Sequence, residues 1–133
     1  MPVVDTEIIF ALSPKDPKHS LAINLLKTSK NLFVSDTALF EFEIVLRSRG
    51  RTDEEIMDAL LSINKIFKKY DVREIKTIDS DLLILHVEIS KNYGLTFFDS
   101  LIAASSLKVD RTIVSDDKAF DKVPDLKRIP LIE

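Results

Sequence analysis

The chain of 133 residues is 45% hydrophobic and 31% charged, which is typical of a globular protein of one-domain size and excludes a disordered or fibrous one. It has no cysteine, which excludes disulfides, thiolate zinc sites and thiol nucleophiles, and with no apolar run of about 18 residues and no signal-like N-terminus we expect a cytoplasmic protein. The net charge of −3 argues against binding nucleic acid through overall charge, so such a contact needs a local basic patch or metal ions.

The N-terminal half of the chain alternates short apolar runs with helical patterns. Asp16 followed by Pro17 is typical of a helix start, with the acid as N-cap and the proline at the first helical position. Ser35 or Asp36 caps the next helix. In chain order we predict a strand over 2–5, a helical turn over 6–12, a helix over 16–29, a strand over 32–34 and a helix that ends at Ser48.

The C-terminal half continues the alternation. Thr52 and Glu55 form a capping-box pattern, and the apolar stripe behind them predicts an amphipathic helix that includes Phe67. Gly50 and Gly94 stand where a glycine usually ends a helix. The remaining predicted elements are a strand over 72–75, helices over 80–93 and 96–108, and strands over 112–114 and 128–129. Together these elements predict one α/β domain over residues 1–133, with a parallel sheet covered on both faces.

Several carboxylates interrupt apolar sequence, whereas most acids of this chain lie among other charges. These are Asp5 between apolar residues 3–4 and 8–10, Glu41 within 38–46, Asp99 within 97–104, and Asp116 and Asp117 directly after the strand 112–114. A helix that is apolar nearly all round is normally buried, and an uncompensated buried charge is strongly unfavourable. We therefore expect these acids to be paired, hydrogen-bonded, protonated or bound to a metal.

Their places in the predicted fold favour a shared site. Asp5 and the pair Asp116–Asp117 end strands, and ligands of open parallel sheets gather at the carboxyl ends of strands where the strand order reverses. Asp99 and Glu41 fall early in their helices and can reach the same edge. Converging carboxylates repel and raise one another's pKa, and a hard divalent cation relieves that repulsion. An all-carboxylate site suits Mg²⁺ or Mn²⁺.

Each acid also has an ordinary structural interpretation. Asp5 could begin a turn, although we favour the functional interpretation, and the last acidic pair could form an Asx turn. Asp99 could be the acidic half of a capping box with Thr96. Glu41 and Glu43 point to different faces of one helix, so we expect only one of them to enter a site.

Four segments of the chain resemble the PIN-domain family, and more specifically its compact archaeal and bacterial VapC-like members. They are Val3-Val4-Asp5-Thr6, Ala38-Leu39-Phe40-Glu41, Gly94 to Ala104 and Ser115 to Phe120. In order, they resemble the family's opening strand with its Asp-Thr or Asp-Ser, the helix that carries its glutamate, its helix motif fyDaliaA and its segment T-x-D-x-D-F. The third match is the most specific. The fourth favours Asp117 over Asp116 as the site acid, and Ala119 replaces the usual second acid there.

The resemblance implies a three-layer α/β/α fold with a five-stranded parallel sheet, and metal-dependent hydrolysis of RNA to 5′-phosphate and 3′-hydroxyl products. It implies that Asp5, Asp99 and Asp117 hold Mg²⁺ or Mn²⁺ directly or through water. It further implies that Glu41 is the fourth catalytic residue, which orients or deprotonates the attacking water. The resemblance also favours a homodimer and a small antitoxin partner that inserts a basic side chain into the acidic cleft.

Other interpretations remain open from the sequence. The basic candidates for RNA contact are Arg47, Arg49, Arg51, Lys65, Lys68 and Lys69. Their spacing is that of ordinary capping at helix C-termini, which is the interpretation we prefer. Phe40 and Phe42 are expected in the core rather than as base-stacking platforms. A catalytically silent binding module is the alternative to an enzyme, and a phosphotransfer fold built on Asp5 is weaker because it needs a second Asp where Glu7 stands.

Overall fold

The computed structural model describes residues 2–132, and these residues form twelve elements of secondary structure. The strands are β1 (Val3–Val4), β2 (Phe33–Ser35), β3 (Arg73–Ile75), β4 (Thr112–Val114) and β5 (Lys127–Ile129). The helices are α1 (Thr6–Phe10), α2 (His19–Thr28), α3 (Asp36–Ser48), α4 (Asp53–Lys69), α5 (Ser80–Tyr93) and α6 (Phe97–Val109), with a 3₁₀ turn at Lys118–Lys122. The predicted alternation of strands and helices is confirmed.

The strands form one parallel sheet in the order β3-β2-β1-β4-β5, flanked by helices, so the predicted three-layer α/β/α fold is confirmed. Val3 of β1 lies beside Phe33 of β2, and Val4 lies beside Val114 of β4. The chain first winds outward through β2 and β3, then crosses back to the other side of β1 for β4 and β5. The strand order therefore reverses between β1 and β4, and a crevice at their carboxyl ends is where such sheets bind ligands.

The continuous apolar runs of the sequence belong to elements that are buried on both faces or on nearly every side. Val3, Val34 and Ile113 on the central strands are fully buried, as expected for parallel strands covered on both faces. Helix α6 is buried on nearly every side from Ser100 to Ser106, and the hydroxyls of Ser105 and Ser106 donate to carbonyls one turn earlier. Its small residues allow the close packing that this position in the core requires.

Helix α3 differs from the sequence-based expectation, because it is not covered all round. Phe42 is buried as predicted, but Phe40 is 57% exposed and Ile44 is 50% exposed, so the prediction that Phe40 belongs to the core is wrong. The helix packs one face on the sheet and α6. Its outer apolar face lies at the surface, where it borders a groove between α3 and α4.

Helix α2 also begins later than predicted. It starts at His19, and its N-cap is Lys18, whose side chain makes no capping hydrogen bond. Asp16 instead closes a turn in front of the helix, since its carboxylate accepts from the N–H of Lys18 at 2.8 Å and its carbonyl accepts from the N–H of His19 at 3.0 Å.

Within residues 2–132, no helix combines the length and apolar character that crossing a bilayer requires.

Candidate active site

Asp5 joins the carboxyl ends of the two strands on either side of the switch point. It follows β1 and is only 6% exposed. One carboxylate oxygen accepts from the N–H of Thr6 at 2.7 Å, and the other accepts from the Ser115 hydroxyl, directly after β4, at 2.8 Å. Asp5 is therefore the N-cap of α1 and also lies in the crevice at the ends of β1 and β4.

Burial raises the pKa of Asp5 to about 7, and the negative charges of Glu7 and Asp99 add to this increase. Hydrogen bonds from Ser115 and Thr6 oppose it but do not cancel it. The charge of Asp99 thus reaches Asp5 although the two residues are far apart in the sequence. Asp5 is a buried acid whose ionised form lacks a cationic partner among the ion pairs of residues 2–132.

Asp99 interacts electrostatically with the other acids, namely Asp5, Glu7, Glu41 and Asp117. It lies in the first turn of α6, where its N–H donates to the Thr96 hydroxyl at 3.4 Å, so Thr96 caps the helix as the sequence suggested. Burial raises the pKa of Asp99, and so do the charges of Asp117 and Glu7, whereas the Thr96 side chain lowers it. Capping and membership of the acidic group are therefore compatible at this position too.

Glu41, and not Glu43, faces this group. Burial raises the pKa of Glu41, and the charge of Asp99 raises it further. Glu43 lies elsewhere on α3, partly exposed, and its carboxylate accepts from the Arg47 guanidinium at 3.0 Å. The structure thus separates the two glutamates in the way that their spacing of two residues requires.

The two adjacent aspartates after β4 have different surroundings. The carboxylate of Asp116 accepts from the Lys18 ammonium at 2.7 Å and from the N–H groups of Leu131 and Ile132 at 2.7 and 3.0 Å. Burial would raise the pKa of Asp116, but these bonds hold it below its usual value. Asp117 is exposed and accepts from the N–H of Ala119 at 2.9 Å, and its charge raises the pKa of Asp99.

Glu7 belongs to the same cluster, and the sequence reasoning missed it. It lies in the first turn of α1, and its Oε1 accepts from the N–H of Asp116 and lies 3.3 Å from the Ser115 hydroxyl. Its charge contributes to the raised pKa of both Asp5 and Asp99. The sequence did carry a signal for Glu7. An acid within one helical turn of the acid that ends a strand stays near the same edge of the sheet.

The donor set of this cluster fits a hard divalent cation. The hydroxyl oxygen of Thr6 is buried beside Asp5 and, in the part of the chain that the structure describes, has no hydrogen-bond partner of normal geometry. It comes close enough to Glu41 to lower the pKa of that carboxyl. A buried hydroxyl beside carboxylates is normally satisfied by one of them, by water or by an ion, and carboxylate and hydroxyl oxygens are the ligands that a hard divalent cation prefers. Within residues 2–132, no three acidic or histidine side chains lie close enough together to hold a metal ion.

The three arginines predicted as candidates for RNA contact form ion pairs or a ring contact with residues of the helices around them. Arg47 pairs with Glu43 and with Asp53, and Arg51 lies 3.8 Å from Glu55. The guanidinium of Arg49 stacks over the ring of Phe10 at 5.0 Å from its centroid. These contacts favour the interpretation as structural helix-end residues. Nearer the site, the Lys18 ammonium pairs with Asp116, and the pKa of Arg128 is raised by Asp121, Asp116 and Asp117.

Comparison with known proteins gives a family match and structural neighbours. The family model of the PIN domain matches residues 3–126, whereas no curated protein matches the chain. A toxin–antitoxin complex from Klebsiella pneumoniae superimposes with a TM-score of 0.71 at 15% identity, covering 100% of this chain and 99% of that one. The Mycobacterium tuberculosis toxin VapC20, which cleaves the sarcin–ricin loop, gives 0.71 at 21% identity, with 91% and 93% covered. VapBC2 from Rickettsia felis, bound to promoter DNA, gives 0.67 at 20% identity, with 96% of each chain covered. At these identities the neighbours establish the fold.

Proposed function

This chain belongs to the PIN-domain family, and from that premise we propose that it is a divalent-metal-dependent endoribonuclease that acts as the toxin of a toxin–antitoxin pair. The observation that carries the proposal is the electrostatic coupling around Asp99. The charge of Asp99 raises the pKa of Asp5 and Glu41, and that of Asp117 raises the pKa of Asp99. Mutual repulsion among acids at the point where the strand order reverses is typical of functional sites, and it supports binding of a cation there.

We assign Asp5, Asp99 and Asp117 as the residues that would hold Mg²⁺ or Mn²⁺, directly or through water. A bound ion of this kind supplies a lowered pKa for the attacking water and offsets the charge that develops on the phosphate. Glu41 orients that water and accepts its proton, a role that suits a half-buried carboxyl with a raised pKa. The Ser115 hydroxyl keeps Asp5 in place. Attack on phosphorus leaves a 5′-phosphate on one product and a 3′-hydroxyl on the other.

A direct assay separates this enzyme from a silent binding module. Purified protein is incubated with single-stranded RNA in EDTA, Mg²⁺ or Mn²⁺, and cleavage products are resolved by electrophoresis and tested for 5′-phosphate ends. We expect cleavage with metal and none in EDTA. A folded protein that binds Mn²⁺ by calorimetry yet leaves a range of single-stranded and structured RNAs intact would favour the module instead.

We also propose a small antitoxin with a basic, amphipathic segment as the binding partner. The structural neighbours include toxin–antitoxin complexes. In this chain the groove between α3 and α4, of about 330 Å³, is lined by apolar side chains and by the acids Asp36, Glu43 and Glu74, of which Glu43 pairs with Arg47. Among residues 2–132, none that lines the groove is basic. Phe40, exposed beside the site residue Glu41, also lines it. The homodimer and the cytoplasmic location stay predictions.

Reversing one charge of the groove tests the antitoxin proposal. If a small basic protein is encoded beside this chain's gene, Glu74→Lys is expected to weaken its binding by about tenfold, because a charge at the rim of an interface acts by attracting the partner. The matched control is Glu88→Lys on the exposed side of α5, which should leave the affinity unchanged. Surface plasmon resonance measures both. Equal affinity of the two variants would place the partner on another surface.

A further inference from the structure

The peptide group between Ser115 and Asp116 is held at both of its ends. Its carbonyl oxygen accepts from Nη1 of Arg128 at 3.1 Å, and its N–H donates to Oε1 of Glu7. Arg128 belongs to β5 and Glu7 to α1, so the two hydrogen bonds come from opposite sides of β4. Because a peptide group is a rigid plane, two hydrogen bonds at its opposite ends leave it little freedom to rotate.

This peptide lies between the two contacts that set the relation of Asp5 to Asp117. The Ser115 hydroxyl donates its single proton to Asp5 at 2.8 Å and accepts from the N–H of Asp117 at 3.0 Å. Any rotation of the plane would move the Ser115 side chain on one side and the Asp117 backbone on the other. The orientation of this plane therefore affects where Asp117 lies relative to Asp5.

Arg128 is itself firmly placed. Its Nε and Nη2 donate to the two carboxylate oxygens of Asp121 at 2.9 and 3.2 Å, a two-pronged contact that fixes the guanidinium. Glu7 forms no ion pair within residues 2–132. A substitution of Glu7 can therefore remove one of the two hydrogen bonds to this peptide without breaking a salt bridge.

We propose that Glu7 is a positioning residue that, together with Arg128, fixes the peptide from which Asp117 follows. The inference rests on the proposed function, since it concerns the metal site of that reaction. It needs only an acceptor oxygen at this position, and the charge of Glu7 is not required. Groups that hold metal ligands in place typically change metal affinity by about 10- to 100-fold when they are removed.

Three substitutions separate positioning from direct binding of the ion. Glu7→Gln keeps an acceptor oxygen and should bind Mn²⁺ within about threefold of the wild type, while Glu7→Ala should bind it at least about tenfold more weakly. Amide hydrogen exchange of Asp116 should be protected in the first variant and faster in the second. Glu7→Asp, whose carboxylate is shorter by one methylene, should behave like Glu7→Ala and replaces it if the alanine variant does not fold. Glu54→Ala, in the exposed first turn of α4, is the matched control.

The possible outcomes are distinct. Equal loss of Mn²⁺ affinity in Glu7→Gln and Glu7→Ala, with the Asp116 amide still protected, would make Glu7 a ligand and overturn the positioning role. Unchanged affinity and exchange in every variant would overturn it as well. Failure of the wild type to bind Mn²⁺ would reject the metal part of the proposed function, and the exchange of the Asp116 amide would still decide whether Glu7 holds the peptide.

Discussion

Replacement of Asp99 with asparagine is expected to reduce RNA cleavage by at least about a thousandfold, equivalent to roughly 4 kcal/mol of transition-state stabilisation. The charge of Asp99 raises the pKa of both Asp5 and Glu41. Its replacement therefore removes a charged metal ligand from the middle of the acidic cluster. Asparagine has nearly the same shape, and the helix keeps its cap because the N–H of residue 99 still donates to Thr96. The measurement is the cleavage rate at saturating Mn²⁺, together with circular dichroism to show that the variant is folded.

Asp81→Asn provides the matched control for this prediction. Asp81 is also an acid in the first turn of a long helix, but it is exposed on α5. The same substitution there should leave the cleavage rate within about twofold, because a solvated helix-end charge has only a small effect. Full activity of Asp99→Asn would exclude Asp99 from the reaction and remove the main support for the assigned site.

Asp5→Asn is expected to stabilise the metal-free protein at pH 7.5 by about 2 kcal/mol. A carboxyl whose pKa rises from 3.8 to about 7 on folding disfavours the folded state by roughly 4 kcal/mol once it is ionised. Asparagine removes that charge but cannot accept the Ser115 proton in the same way, and the lost hydrogen bond offsets about 1 to 2 kcal/mol of the gain. Urea unfolding in EDTA, followed by circular dichroism, measures the difference.

The sign of this effect predicts its pH dependence. Because the folded-state pKa of Asp5 is raised, the contribution of this residue to stability is most favourable below about pH 4, where its carboxyl is largely protonated in both states. That stability is lost as the pH rises toward 7. The advantage of Asp5→Asn should therefore be absent at pH 4 and grow between pH 4 and 7. Mn²⁺ at pH 7.5 should stabilise the wild type and have much less effect on the variant.

Asp116→Asn is the matched control, since it changes a neighbouring acid in the opposite environment. Lys18 and two backbone N–H groups hold the pKa of Asp116 below its usual value, so neutralising it should destabilise the protein at pH 7.5. Opposite signs for the two aspartates would support the electrostatic account of the cluster. A loss of stability in Asp5→Asn at pH 7.5 would show that its charge is compensated in the metal-free fold.

The amino-acid sequence by itself determined the α/β architecture, because strand and helix periodicities are local properties. The capping box of Thr52 and Glu55 was read correctly for the same reason, since both partners lie within one helical turn. The family was also legible, since short motifs such as Gly94 to Ala104 keep their residue types at fixed spacing. Even the pairing of Glu43 with Arg47, four residues apart on one helix, was within reach of sequence reasoning.

Only the tertiary structure decided how neighbouring candidates differ. Asp116 and Asp117 are adjacent, and what separates them is the approach of Lys18 and of the amides of Leu131 and Ile132, from other parts of the chain. Which face of α3 is covered depends on where its neighbours pack, so the exposure of Phe40 could not be read from an apolar run. The same holds for the bond from the Asp116 N–H to Glu7, 109 residues away. A local pattern records what a residue can do, whereas burial and charge pairing depend on segments that meet only when the chain is folded.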